Sequence, residues 1–546
     1  MKLILLNTIL SLIILFQMGC RPAEKQTKYY NGKIYTMNSQ TPLISSFIVK
    51  NGRFITDQNI DTDEITDSID LKGKTVLPGF IDAHGHLKNL GSWLLNIDLV
   101  GDSSVQKIQN KVKEFADKHP KMDVIKGRGW DQNLWKEKSF PTAAMLDAII
   151  SNRPVVLDRI DGHAIWTNSR AMKLAEITSL TPDPAGGKII RDEKGNPTGV
   201  FVDNAEELIR KYLPVEMEKA ETEYLKAAFM YLTDFGITGV HDAGTSLSEI
   251  NILKKNLGSE WYNLRVYAMI DGNTSTWEYY RKKGIEVGLS DYRLTVRSIK
   301  LYADGALGSR GAMLLDSYSD DPSNKGLPVT SVEELENVTK QAIKSGFQVN
   351  IHAIGDAANR NAIDIFERNS PQDGINRRFR IEHAQVVSLD DIPRFKKNGI
   401  IASMQPTHAT SDMPWAETRI GKERIKGGYA WRTFLKNDVK LALGSDFPVE
   451  SVNPLLGIYA AYTRQDLKGK PDGGWYPDQR LTREEAVLGF TNWASYASFT
   501  DKIVGQIKTG QYADFIILSD NLFEVFPHEI PGIKVEQVYF GGKKVK

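Results

Sequence analysis

Two histidines separated by one glycine, His84 and His86, end the apolar run KTVLPGFIDAHGH at 74–86. On a strand, residues two apart point the same way, so both imidazoles face one side, as two ligands of one metal require. Two strand-end histidines satisfied by their neighbours would show the same spacing, and a lone His-X-His is a weak motif. Three more groups strengthen the metal reading. His352 lies in FQVNIHAIGD (347–356), His383 in RFRIEHAQ (378–385), and Asp446 ends VKLALGSD (439–446). Imidazole and carboxylate donors suit a borderline cation, Zn²⁺ first, with Ni²⁺, Mn²⁺ and Fe²⁺ as alternatives. Lys300 stands in SIKLYADG (298–305). As an ammonium it would oppose metal cations or simply pair with Asp304. Carboxylated by CO₂ on its side-chain nitrogen, it becomes an anion able to bridge two of them.

Seven of the nine histidines, at 84, 86, 163, 241, 352, 383 and 408, are the candidates from the middle of the chain. His163, in DGHAIW (161–166), is either a group that binds a scissile carbonyl or a buried structural histidine bonded to a neighbour. His241, in GVHDAG with Asp242 beside it as a possible orienting acid, and His408, in MQPTHA, are pocket candidates rather than ligands. Arg310, in the glycine-rich GALGSRGA, is either a carboxylate clamp or an internal ion-pair residue; the loop lacks GxxxxGK[ST] and is no phosphate loop. Trp130, Trp135, Trp166, Trp415 and Trp431 divide between an aromatic pocket and ordinary packing.

The elements that must position these groups repeat along the chain. Eight strand-like runs, at 74–86, 237–244, 264–270, 296–305, 347–356, 378–385, 400–408 and 439–446, alternate with helical patterns such as 332–346. That alternation predicts a (β/α)₈ barrel, whose strand C-termini converge on one mouth. The barrel should occupy residues 76–504. Within it, 87–235 is too long for one crossover and should be a folded insertion. Short alternating segments occupy both ends, with Asn-Gly at 31–32 and 51–52 and Gly-Gly at 541–542 as turns. Neither end buries enough to stand alone, so 29–75 and 505–546 should combine into one small β-sandwich domain.

These motifs together resemble the amidohydrolase superfamily, in particular the amidohydrolase 3 or YtcJ-like branch that includes N-substituted formamide deformylases. The resembling stretches are LPGFIDAHGHL (77–87), DRIDGHAIWTNSRA (158–171), GITGVHDAG (236–244), IKLYADGALGSRGA (299–312), NIHAIGDAANR (350–360), RIEHAQ (380–385), MQPTHA (404–409), LALGSDFPV (441–449) and GQIKTGQYADFIILSD (505–520). They follow the family order over nearly the whole chain. The resemblance implies a metal-dependent barrel with a β-sandwich built from both chain ends. It implies His84 and His86 as ligands of the more buried metal, Lys300 as the N6-carboxylated bridge, His352 and His383 as ligands of the second metal, and Asp446 as the strand-eight acid. The intact lysine favours two divalent ions, zinc in this reading. The family also places the His163 motif over the barrel mouth.

At the N-terminus, Lys2 precedes an apolar run from Leu3 to Phe16, and Gly19 precedes Cys20, the only cysteine. This reads as an export signal over 1–19, too short for a span of about 20 residues. Cys20 resembles the lipidated cysteine of bacterial lipoproteins, although Gln17 departs from that pattern, and 20–28 reads as a tether. An ordinary signal peptide is the plainer alternative. A single cysteine excludes an intrachain disulfide. Lys+Arg total 69 against 68 Asp+Glu, which argues against bulk nucleic-acid recognition. No strand–GxGxxG–helix unit supports a Rossmann enzyme.

The expected protein is an exported envelope lipoprotein, on the periplasmic or outer face, held to the membrane by acylated Cys20. It hydrolyses a non-peptide C–N bond of a small amide-like substrate, an N-acyl or N-formyl amide, with Asp446 and His163 as catalytic residues. Cyclic imides, carbamates and esters are rival substrates, and a non-catalytic envelope binding protein is the rival of another class. The oligomeric state stays open, homodimer included.

Overall fold

The computed structural model describes residues 26–56, 65–120, 122–213, 218–369 and 374–546. The export signal, Cys20 and most of the tether lie outside the described residues. The centre of the molecule is a barrel of eight parallel strands. They are β1 (Phe80–Gly85), β2 (Ile237–Thr245), β3 (Arg265–Asp271), β4 (Leu294–Tyr302), β5 (Gln348–Ala353), β6 (Arg380–His383), β7 (Ile401–Met404) and β8 (Leu441–Leu443). Each pairs in parallel with the next. Closure comes just beyond β8, where His86 N donates to Phe447 O and Asp446 N donates to His84 O. A side chain at Gly85 would collide with the Phe447 ring, at 2.3 Å from its Cβ. The glycine between the two histidines is therefore what lets the barrel seam shut.

The strands are apolar almost throughout because parallel strands are buried on both faces. Residues such as Val240, Val266, Ile299, Ile351 and Leu443 are fully or nearly fully buried and join one core with the surrounding helices. Helices α1 (Leu87–Leu95) and α2 (Glu218–Asp234) pack on each other. Leu87, Leu90, Leu225 and Phe229 belong to the barrel core, so both ends of 87–235 form part of the barrel shell. Between them lies a sheet of six strands running from 97 to 203. Trp130, Trp135 and Trp166 fill its core and donate their indole N–H groups to the carbonyls of Leu157, Asp102 and Thr142. They are packing residues, as is Trp431 beneath the Arg464 guanidinium.

Both chain ends share one sheet, in which Phe515–Leu518 pairs with Thr75–Pro78. It curls until Ala513 N donates to Gly52 O, enclosing Tyr29, Phe47, Phe54, Phe515 and Tyr539. Asn51 and Gly52, both at positive φ, turn the chain between antiparallel strands as expected. Asn31-Gly32 does not. The strand Gln26–Tyr35 runs on through it with a register shift against its partner, so the positive φ of Asn31 makes a bulge instead of a turn. The bulge lets Asn31 Nδ2 donate to Asp70.

Candidate metal centre

Ligand atoms of His84, His383 and Asp446 lie within 4.8 Å of one another, and all three residues are buried. His86 Nε2 is 3.1 Å from Asp446 Oδ1, and Lys300 Nζ is 3.1 Å from His84 Nε2. The His352 and His383 rings are 4.6 Å apart. Six strand-end residues from β1, β4, β5, β6 and the end of β8 thus meet at the mouth. His383 and Asp446 adopt left-handed backbone, at φ 73° and 62°. Such strain costs about 1–3 kcal/mol per residue and concentrates at functional sites.

Most of the imidazoles are held by the nitrogen turned away from the centre. Nδ1 of His84 contacts Glu382, that of His86 the Ala243 carbonyl, and that of His383 the Gln405 side chain. With Nδ1–H donating outward, the lone pair sits on Nε2 and faces the cluster. Glu382 is itself held by Arg380, whose Nε is 2.7 Å from Oε1; both residues are fully buried. Asp82 ties β1 to the loop after β8 by accepting from the Ser445 N–H and hydroxyl.

These residues fit a divalent metal centre. His352 Nε2 is buried with no hydrogen-bond partner among the described residues, as a nitrogen reserved for a metal would be. The three-residue donor set is imidazole and carboxylate, suited to zinc. Burial lowers the Lys300 amine to about 8, nearer the neutral form that reacts with CO₂. Lys300 does not pair with Asp304, which instead accepts from the backbone N–H groups of Met313, Ile354 and Gly355. Burial pushes the Asp446 carboxyl upward, but the His86 hydrogen bond and the surrounding histidines hold it well below the usual range.

His163 comes from the inserted sheet and reaches the same mouth, its ring 5.9 Å from His352. Its Nδ1 lies 2.7 Å from Asp203 Oδ1. Burial lowers the His163 pKa, but the Asp203 contact outweighs it and raises the imidazole to about 9. His163 and Asp446 both line one cavity of about 920 Å³. His408 lines it too, from the helix Pro406–Asp412 that follows β7, with Nε2 3.7 Å from Asp446. Trp415, from the helical segment after it, and Trp93 line the cavity as well.

Two pocket candidates lie elsewhere. His241 points into the barrel interior, where Arg380 Nη1 is 2.8 Å from its Nδ1; Asp242 orients no imidazole there and instead accepts from Leu87 N and Thr245. Arg310 is an internal ion-pair residue, held by Asp320 together with Arg419. Glu382, Asp203, Gln405 and Asp82 are the functional neighbours that the sequence reading missed. Glu382 and Asp82 carried a signal, each being an acid inside a histidine-bearing strand motif. Asp203 carried none.

A (β/α)₈ barrel whose mouth gathers histidines, a lysine and an aspartate defines a metal-dependent hydrolase. The chain belongs to the amidohydrolase family: the model described as "Amidohydrolase family" matches residues 67–546. YtcJ of Bacillus subtilis (strain 168), which carries an amidohydrolase name, is 34% identical over 88% of this chain and 90% of its own length. An N-substituted formamide deformylase of Arthrobacter pascens is 25% identical over 94% of this chain and 96% of its own. The crystal structure of an uncharacterised metal-dependent hydrolase from Pyrococcus horikoshii OT3 superposes with a TM-score of 0.76 at 31% identity, covering 92% of this chain and 99% of that one.

Proposed function

We propose that this protein hydrolyses the C–N bond of a small N-acyl amide, N-formyl amides included. The observation that carries the reading is that Asp446 and His163, the latter held by Asp203 at 2.7 Å, face one cavity beside the metal donors. The likeness to a formamide deformylase over most of both chains supports the choice of bond.

His84, His86, carboxylated Lys300, His352, His383 and Asp446 would hold two divalent ions, zinc by donor type. When bound, such ions supply Lewis acidity toward water and carbonyl oxygen. The chain supplies the rest. Asp446 takes the proton of the attacking water and returns it to the leaving nitrogen, so that the amine departs neutral. His163 donates its Nε2 proton as a hydrogen bond to the carbonyl oxygen, where negative charge grows as the carbon becomes tetrahedral. Asp203 keeps that imidazole protonated and aimed. The inserted sheet contributes Arg128, Arg159 and His163 to the cavity wall.

The test is product analysis by zinc-loaded protein on matched N-formyl and N-acetyl amines, cyclic imides, carbamates and esters. Release of free amine and carboxylic acid is expected. Turnover confined to imides, carbamates or esters would overturn the amide reading. On sequence features alone, we also propose export and anchoring through Cys20. Mass spectrometry should find an acylated Cys20 as the mature first residue, and an unmodified start elsewhere would refute it.

A further inference from the structure

The cavity walls carry several cations, and three of them are neutralised by carboxylates. Arg159 pairs with Asp131 and Asp161, Arg210 with Asp158 and Glu206, and Lys88 with Glu221. Arg128 is different. It lines the cavity, is only 9% exposed, and makes no ion pair among the described residues. Its Nη1 donates to the Pro448 carbonyl and its Nη2 to the Ile160 carbonyl. A guanidinium has five N–H donors, so these two bonds leave capacity for more. Asp158, Asp446, Asp161 and Asp98 act on Arg128 from beyond ion-pair distance, yet burial still outweighs them, so an anion bound directly would recover part of the cost of burying this cation.

The two anchoring bonds also place the guanidinium against two loops of the site. Pro448 lies two residues after Asp446, and Ile160 lies three residues before His163. Arg128 is thus fastened between the two loops that bear the acid and the imidazole assigned above to the reacting bond. A substrate engaging both of those groups would bring its near substituents to the guanidinium. A planar carboxylate matches the guanidinium fork better than any neutral group.

We propose that Arg128 is a specificity-determining residue that receives a carboxylate on the amine half of the substrate. The preferred substrates are then N-acyl or N-formyl amino acids, or amines with a carboxylate equally close to the nitrogen. This inference rests on the amide-hydrolysis reading and names its substrate class.

The test compares N-formyl amino acids with their carboxamides on zinc-loaded protein. Wild type should favour the carboxylate member by about 10- to 100-fold in kcat/KM, the scale of a charge-assisted hydrogen bond. Arg128→Gln should bring the ratio close to one, while Arg128→Lys, which keeps the charge, should retain part of it. A wild type indifferent to the carboxylate overturns the proposal. So does an Arg128→Gln variant that slows both members equally, because Arg128 then only ties two loops together. Calorimetric binding of N-acetylglycine and N-acetylglycinamide separates this inference from the reaction class. Tighter binding of the anion that Arg128→Gln abolishes, without turnover of any amide, would uphold the anion site and sink amide hydrolysis. Equal binding of the two would sink the anion site.

Discussion

At the scale of single residues, the centre depends on acids that touch no substrate. Glu382 fixes the orientation and tautomer of His84, and Arg380 fixes Glu382. Carboxylates behind metal-bound histidines are typically worth about 10- to 100-fold in metal affinity. Glu382→Gln should therefore weaken zinc binding by that factor in chelator competition, with Glu382→Asp intermediate. Unchanged affinity in a folded Glu382→Gln variant would leave the Arg380–Glu382 pair a structural feature only. Asp203 has a separate role. It raises His163 from its ordinary value near 6.5 to about 9. Because the folded value is the higher one, the pair's stabilisation is complete below pH 6.5 and is lost as pH rises through about 9. Activity that needs the protonated imidazole should follow the same limb. Asp203→Asn should move the alkaline fall of kcat/KM to lower pH, and an unmoved limb would remove His163 from the proton inventory.

At the scale of elements, the sheet built from both chain ends is locked to the barrel by one buried ion pair. Arg265 on β3 meets Asp514, with Nε 2.6 Å from Oδ2 and Nη2 3.0 Å from Oδ1. Asp514 also accepts from Gly541 N, so a single carboxylate joins the barrel to both partners of the terminal strand pair. Removing one member of a buried pair strands the other, at a cost of about 3–5 kcal/mol. Asp514→Ala should lose stability on that scale in urea unfolding while sparing zinc affinity, since the pair lies at the opposite end of β3 from the mouth. A loss below about 1 kcal/mol, the level of an exposed pair, would show that the joint is not what holds the sheet.

At the scale of the whole molecule, barrel, inserted sheet and terminal sheet meet around one charge problem. Histidines from several strands, Asp446 and Lys300 bring donor atoms together at one mouth, so a bound cation should stabilise the fold. Zinc at about 100 times its dissociation constant should add about 2.7 kcal/mol. Chelator-treated protein should therefore unfold at lower temperature than zinc-loaded protein and recover on readdition. Identical melting of both forms would contradict a metal held by these residues.

The strand-and-helix alternation, the His-X-His spacing and the strand-end positions of His352, His383 and Asp446 were legible in the sequence because each is local. Alternation, period and strand ends depend on neighbours a few residues apart, and a closed parallel barrel then brings the strand ends to one mouth without further information. The Asn-Gly pair at 31–32 marks the limit of such reading: the same dipeptide serves a turn or a bulge, and only the pairing of strand Gln26–Tyr35 with its neighbour decided for the bulge. The chemistry around the donors was less legible still. His163 and Asp203 are 40 residues apart, His84 and Glu382 are 298 apart, and Arg128 and Pro448 are 320 apart. No local pattern encodes such contacts. Which histidine meets a carboxylate, which nitrogen faces the centre and which guanidinium is left without a direct ion-pair partner were decided by tertiary structure alone, because burial and charge pairing exist only once the chain has closed on itself.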